Sequence, residues 1–114
     1  MKKGVTVISI SVLVLVFACS KNKSGFTADC SGATKSFATD VNPIIQSTCA
    51  TNTGCHASGS VNGPGPLTTY LQILNARVEI RSAVSTGRMP QTGSLTTAQK
   101  NSIICWIDNG ALNN

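Results

Sequence analysis

The chain has 114 residues, a formal net charge of +5 and an unusually low aromatic content of 4%, enough for one small domain and little more. Its cations are scattered and not interleaved with aromatics, so the pattern of a nucleic-acid-binding surface is missing. Four acidic residues, Asp29, Asp40, Glu79 and Asp108, and a single histidine supply neither a carboxylate pair nor a nucleophile with its base. The chain is therefore not expected to be an enzyme with a catalytic site of its own.

Met1-Lys2-Lys3 is a short positive start, followed by an uncharged apolar stretch from Gly4 to Ala18. That stretch is short for a membrane span and suits the apolar region of a secretory signal. It ends Val16-Phe17-Ala18-Cys19, which resembles the lipobox of bacterial lipoproteins, where the cysteine is acylated and becomes the new N-terminus. The expectation is a signal peptide over residues 1–18, lipidation at Cys19, and a protein exported and anchored in the bacterial envelope, in the periplasm or at the outer membrane. The remaining chain carries a charge of +3, because Lys2 and Lys3 leave, and its aromatics are Phe26, Phe37, Tyr70 and Trp106. So thin a core calls for disulfides, a metal or a bound cofactor.

Residues 19–36 are polar and small and read as a tether, with Cys30 placed to pin its far end. The folded domain is expected over residues 37–114. A first helix is predicted over about 39–48, with Phe37, Val41, Ile44, Ile45 and Thr48 on one stripe. Pro43 predicts either a late start or an irregular first turn. Cys49 to Pro66 has no period and is rich in Gly and Pro, a long loop of the kind that is usually functional. A short helix through Leu74 follows, with Thr68 as its cap, then a segment from Arg77 to Thr86 that stops at Gly87. Thr96 and Gln99 form a capping box for the last helix, which carries Ile103, Trp106 and Ile107 and ends at Gly110. No stretch alternates as a solvated strand does. The fold class expected is all-α, three to five helices with long loops.

The chemistry gathers in the loops. His56 directly follows Cys55 in Cys49-Ala50-Thr51-Asn52-Thr53-Gly54-Cys55-His56, and after the initiator the one methionine is Met89, in Gly87-Arg88-Met89-Pro90. Taken singly, such a histidine is surface decoration and such a methionine core filler. Together, at loop positions of an all-α exported domain, they resemble the cytochrome c superfamily, and especially its small monohaem lipoproteins of the Bacteroidetes type. The resemblance covers roughly Phe37 to Leu112. It runs from Val41-Asn42-Pro43-Ile44-Ile45 leading to Cys49, through Cys55-His56 and Met89-Pro90, to Trp106-Ile107-Asp108-Asn109-Gly110-Ala111.

The resemblance implies a cytochrome c-like fold around a haem crevice, with one covalent haem c. Cys49 and Cys55 would bond the haem, His56 and Met89 would ligate iron from its two sides, and electron transfer with redox partner proteins would be the task; with both of those sides taken by protein, no small-molecule substrate is expected. Thioether sulfur opposite imidazole favours reduced iron. The family motif has two residues between its cysteines and this chain has five, so Cys55-His56 is the stronger half and the thioether to Cys49 is left open. With Cys49 and Cys55 on haem, Cys30 and Cys105 remain to pair. The alternative is a haem-free surface lipoprotein stapled by two disulfides, with a structural or interaction role, and it too is compatible with a Cys30–Cys105 bridge. Zinc wants four ligands, commonly in two close pairs, whereas only one close pair here includes a histidine and oxidising conditions favour bridging the other thiols; blue copper wants two histidines and the chain has one. Leu67, Tyr70, Leu74, Ile80 and Val84 are expected along the crevice. Trp106 and Arg88 are candidates for the polar edge of the cofactor, Trp106 more readily as packing between the first and last helices.

Overall fold

The computed structural model describes residues 25–114; the signal segment, Cys19 and the first tether residues lie outside the described residues. The chain forms a π-helical turn, Phe37–Val41, that runs directly into α1, Asn42–Thr48. Then come α2, Tyr70–Asn75, α3, Arg77–Ser85, and α4, Thr97–Asp108. There is no strand among the described residues, in keeping with the all-α expectation.

Pro43 accounts for the irregular start. It has no N–H to donate, and its ring crowds the carbonyl four residues back. The turn ahead of it widens, so that the Asn42 N–H reaches back five residues to the Phe37 carbonyl. The wide turn is tied at its entrance. The Ser36 N–H donates to the Asp40 carboxylate (2.8 Å) and the Phe37 N–H to the Asn114 side chain (2.9 Å). The Ala38 N–H completes the set on the Asn114 carbonyl (2.9 Å).

The other termini follow from local chemistry. Thr69 is the cap of α2, one residue later than the sequence suggested. Its hydroxyl accepts the Gln72 N–H, and the Gln72 side-chain oxygen accepts from the N–H groups of both Thr68 and Thr69. That shared acceptor is why Thr68 looked equally suitable. Gly87 ends α3 at φ +70°, a conformation that costs glycine nothing. The Thr96/Gln99 capping box opens α4 as expected, and Gly110 closes it at φ +104°.

Val41, Ile45, Ile73, Ile103, Ile104 and Trp106 form the most deeply buried part of the core. Phe37, Tyr70 and Trp106 stack around one another, with ring centroids 5.1 to 6.4 Å apart. Arg81 in α3 grips Asp108 at the end of α4 through two hydrogen bonds (2.6 and 2.8 Å). At the other end of this helix pair, Phe26 donates its N–H to the Ser85 carbonyl and lies under Lys100. The two helices therefore run antiparallel.

The segment ahead of the first turn is laid across this pair. The Asp29 N–H donates to the Asn101 side chain (3.1 Å), and Cys30 is bonded to Cys105, with Cα atoms 5.4 Å apart. The bridge spans a sequence separation of 75, worth about 4 kcal/mol in the chain-entropy account. For a core this thin, that is a substantial share of the stability a small domain has.

Candidate functional site

α1 delivers Cys49 to the edge of the core. The Cys49 and Ala50 N–H groups both donate to the Ile45 carbonyl (2.9 Å each), so the cysteine sits at the helix's last turn, half-buried. Burial pushes its thiol pKa up; a hydrogen bond with Thr48 opposes this weakly and the neighbouring Cys55 adds to it. The thiol is protonated at neutral pH and is not a poised nucleophile.

The chain then bulges and returns. Asn52 organises the bulge. Its backbone carbonyl accepts the N–H groups of Cys55 and Ala57 (3.0 Å each), and its side-chain oxygen takes the Cys55 N–H as well (3.1 Å). The Asn62 side chain donates to the Gly54 carbonyl (2.7 Å), and the Ser60 hydroxyl to that of Cys55. The His56 N–H then donates to the Cys49 carbonyl (3.0 Å). His56 is buried, at 7% exposure, and its Nδ1 lies 2.9 Å from the Gly65 carbonyl. A carbonyl can only accept, so Nδ1 carries the proton, and in the neutral ring Nε2 keeps its lone pair. Such an outer hydrogen bond is the usual support of a metal-binding imidazole.

Met89 arrives from the far side of the chain. Gly87 turns the backbone out of α3, and the Met89 N–H donates to the Ala83 carbonyl (3.2 Å). Cys49, Cys55, His56 and Met89 all line one cavity of about 1170 Å³, whose apolar wall includes Ile45, Leu67, Ile80 and Val84. That exceeds the ~300–1,000 Å³ of ordinary small-molecule pockets. Gln46 helps to hold the wall, donating to both the Asn42 side chain (3.0 Å) and the Leu67 carbonyl (2.9 Å). Cys49 and Cys55 are not bridged to each other, while Cys30 and Cys105 are.

Several expected wall residues are elsewhere. Tyr70 and Leu74 do not line the cavity; both pack against the core, and the Tyr70 hydroxyl donates to the Ala111 carbonyl (2.9 Å). Trp106 is almost wholly buried against Phe37, and its indole N–H is spent on the Leu112 carbonyl (2.8 Å), so it has no polar edge to offer a ligand. Arg88 does reach the cavity rim, and Glu79 joins it there. The sequence reading missed Gly65, because a backbone acceptor leaves no mark of residue type. The Gly63-Pro64-Gly65-Pro66 run was the available hint. Among the described residues no three His, Cys, Asp or Glu side chains gather as a metal site. No protein-family model, curated protein or solved structure matches the chain.

Proposed function

We propose that this protein is a lipid-anchored, single-haem electron carrier of the cytochrome c type. The observation that carries the reading is the convergence on one cavity of an imidazole whose outer nitrogen is committed to Gly65, a thioether on a separate loop, and two unbridged cysteines. This donor set suits a haem better than a bare ion. Imidazole and thioether are the axial pair of an electron-transfer haem, thiols next to the histidine can tether it, and the cavity wall is largely apolar.

In this reading Cys55 would hold the group covalently, Cys49 on the same wall is the open second attachment, and His56 through Nε2 and Met89 through its sulfur would ligate the iron. When bound, the group supplies one-electron exchange at iron. The chain's own residues bind and orient it: Gly65 fixes the tautomer of His56, the Ala83 carbonyl fixes the backbone of Met89, and Ile45, Leu67, Ile80 and Val84 exclude water. Anchorage in the envelope through Cys19 rests on the sequence.

The test is expression of the full chain with a cytochrome c maturation system, followed by haem staining after denaturing electrophoresis. Haem that remains on the denatured band supports the reading. A colourless, folded product overturns it and favours the haem-free lipoprotein. In the coloured protein, Met89→Ala should abolish the sulfur-to-iron charge-transfer band, and an unchanged band removes Met89 from the ligand set.

A further inference from the structure

The chain has two Asn-Gly pairs, Asn62-Gly63 and Asn109-Gly110. In such a pair the backbone nitrogen of the glycine can attack the side-chain amide carbon of the asparagine, because the glycine has no side chain to hinder the approach or stiffen the backbone. Folding decides which pair can do so, and it treats these two oppositely.

Asn109 closes α4 with its N–H on the Cys105 carbonyl (2.9 Å), and the Gly110 N–H donates to the Ile107 carbonyl (3.2 Å). The Asn109 ψ of 12° sets the Gly110 nitrogen alongside the Asn109 nitrogen and so away from the Asn109 side chain. The attacking atom is both engaged and misdirected. At the other pair, Asn62 opens a tight turn. Its carbonyl accepts the Gly65 N–H (2.5 Å), and the Gly63 N–H between them meets no acceptor among the described residues. Gly63 has no positive φ and nothing within 4 Å of where a side chain would start. Asn62 is exposed on the edge of the cavity, within reach of water, and its side-chain nitrogen donates to the Gly54 carbonyl (2.7 Å).

We propose that Asn62 is a site of spontaneous deamidation, which adds a negative charge to the cavity edge and unlatches the bulge that carries Cys55 and His56. The only co-reactant is water. The Gly63 nitrogen bonds to the Asn62 side-chain carbon and gives up its proton, and the side-chain nitrogen leaves as ammonia, closing a cyclic imide. Water then adds to one imide carbonyl. The ring opens to aspartate when the side-chain carbonyl is attacked and to isoaspartate when the main-chain carbonyl is; nothing is oxidised or reduced. The lost amide was the donor to Gly54. A carboxylate can only accept, so it faces that carbonyl with no proton to share and repels it. Asn52 and Ser60 still hold Cys55, but the tie from Gly54 across to Asn62 is gone. This inference stands apart from the haem reading, since it needs only the folded chain and water.

The experiment ages the folded full chain at mildly alkaline pH in heavy-oxygen water, then digests it and maps the peptides by mass spectrometry. The Asn62 peptide should lose its amide and gain a solvent oxygen, while the Asn109 peptide keeps its amide. In unfolded protein the two should convert alike. Gly63→Ala should slow conversion at Asn62 severalfold and leave Asn109 as it was. Equal conversion of the two pairs in the folded protein overturns the proposal, as does an Asn62 that stays intact there while converting in the unfolded chain. The consequence for the bulge is read by amide hydrogen exchange. Asn62→Asp should speed exchange at Cys55 and His56 with α4 unchanged, and unaltered exchange at those two residues overturns the unlatching.

Discussion

The backbone N–H of His56 donates to the carbonyl of Cys49 at 3.0 Å, closing the six residues between them into a bulge that is satisfied from within. The extra length therefore does not push the two apart. Cys49 and His56 are neighbours in space as though the intervening residues were fewer, and Asn52 at the turn of the bulge takes up the donors that a longer loop would leave unpaired. Departure from the two-residue spacing thus leaves Cys49 on the same cavity wall as Cys55 and His56.

The support of His56 depends on a glycine in an unusual conformation. Gly65 has φ +97°, where a side chain is strained whatever the space around it, and its carbonyl holds the imidazole. Gly65→Ala should cost about 1–2 kcal/mol and weaken ligand retention at His56. Gly63→Ala, two residues away, without a positive φ and with nothing close by, should be close to neutral. Paired denaturant titrations of the two variants check this, and equal loss in both would remove the special role of Gly65.

Trp106 should matter for stability and not for the cofactor. It packs on Phe37 and Tyr70 and bonds to Leu112, away from the cavity. Trp106→Phe leaves a void and should destabilise the fold by about 1–3 kcal/mol. The absorption spectrum and reduction potential of the haem-loaded protein should be unchanged. A shifted potential with unchanged stability would reverse the assignment.

The Arg81–Asp108 pair gives a pH signature. Hydrogen bonds from Arg81 hold the Asp108 carboxyl below its ordinary value. A carboxylate depressed in the folded state contributes stability above the unfolded pKa and loses it as pH falls through the folded one. Both side chains are more than a third exposed, so solvent screening keeps the contribution under about 1 kcal/mol. Asp108→Asn should therefore lower stability slightly at neutral pH and not at all at strongly acid pH. Urea melts at the two pH values measure it, and a difference that persists in acid would assign the effect to packing instead.

How far the sequence could be read depended on the kind of signal. Capping boxes and terminal glycines are local, so α4 was readable to its first residue, and the irregular turn ahead of Pro43 followed from proline's missing N–H. The start of α2 was off by one, because Thr68 and Thr69 share the Gln72 acceptor and only the backbone angles choose between them. Leu67, Ile80 and Val84 fell on the cavity, whereas Tyr70 and Leu74 turned to the core. A helix stripe says which residues are inside but not which of two apolar neighbours they meet. Gly65 was illegible for a different reason: its contribution is a main-chain oxygen.

The cysteines offer the most direct arbitration. In the haem-free protein both Cys49 and Cys55 are unbridged thiols on the cavity wall. Burial raises the Cys49 pKa, so under native conditions Cys49 should alkylate more slowly than a small model thiol, catching up as the pH becomes alkaline or the protein is unfolded. Maturation with haem then divides the outcomes. If the bulge lets Cys49 reach the cofactor, neither cysteine alkylates even after denaturation, since a thioether has no thiol to react. If Cys55 alone is bonded, denatured protein takes up one equivalent, and it maps to Cys49. Two equivalents from denatured, unreduced protein would mean no covalent attachment at all. No uptake before reduction, and after it one equivalent at each of Cys49 and Cys55 beside the two from the opened Cys30–Cys105 bridge, would place a Cys49–Cys55 disulfide in the cavity. Peptide mapping after each treatment separates the four cases, because the Cys30–Cys105 bridge stays silent until a reductant is added and reports its own release when one is.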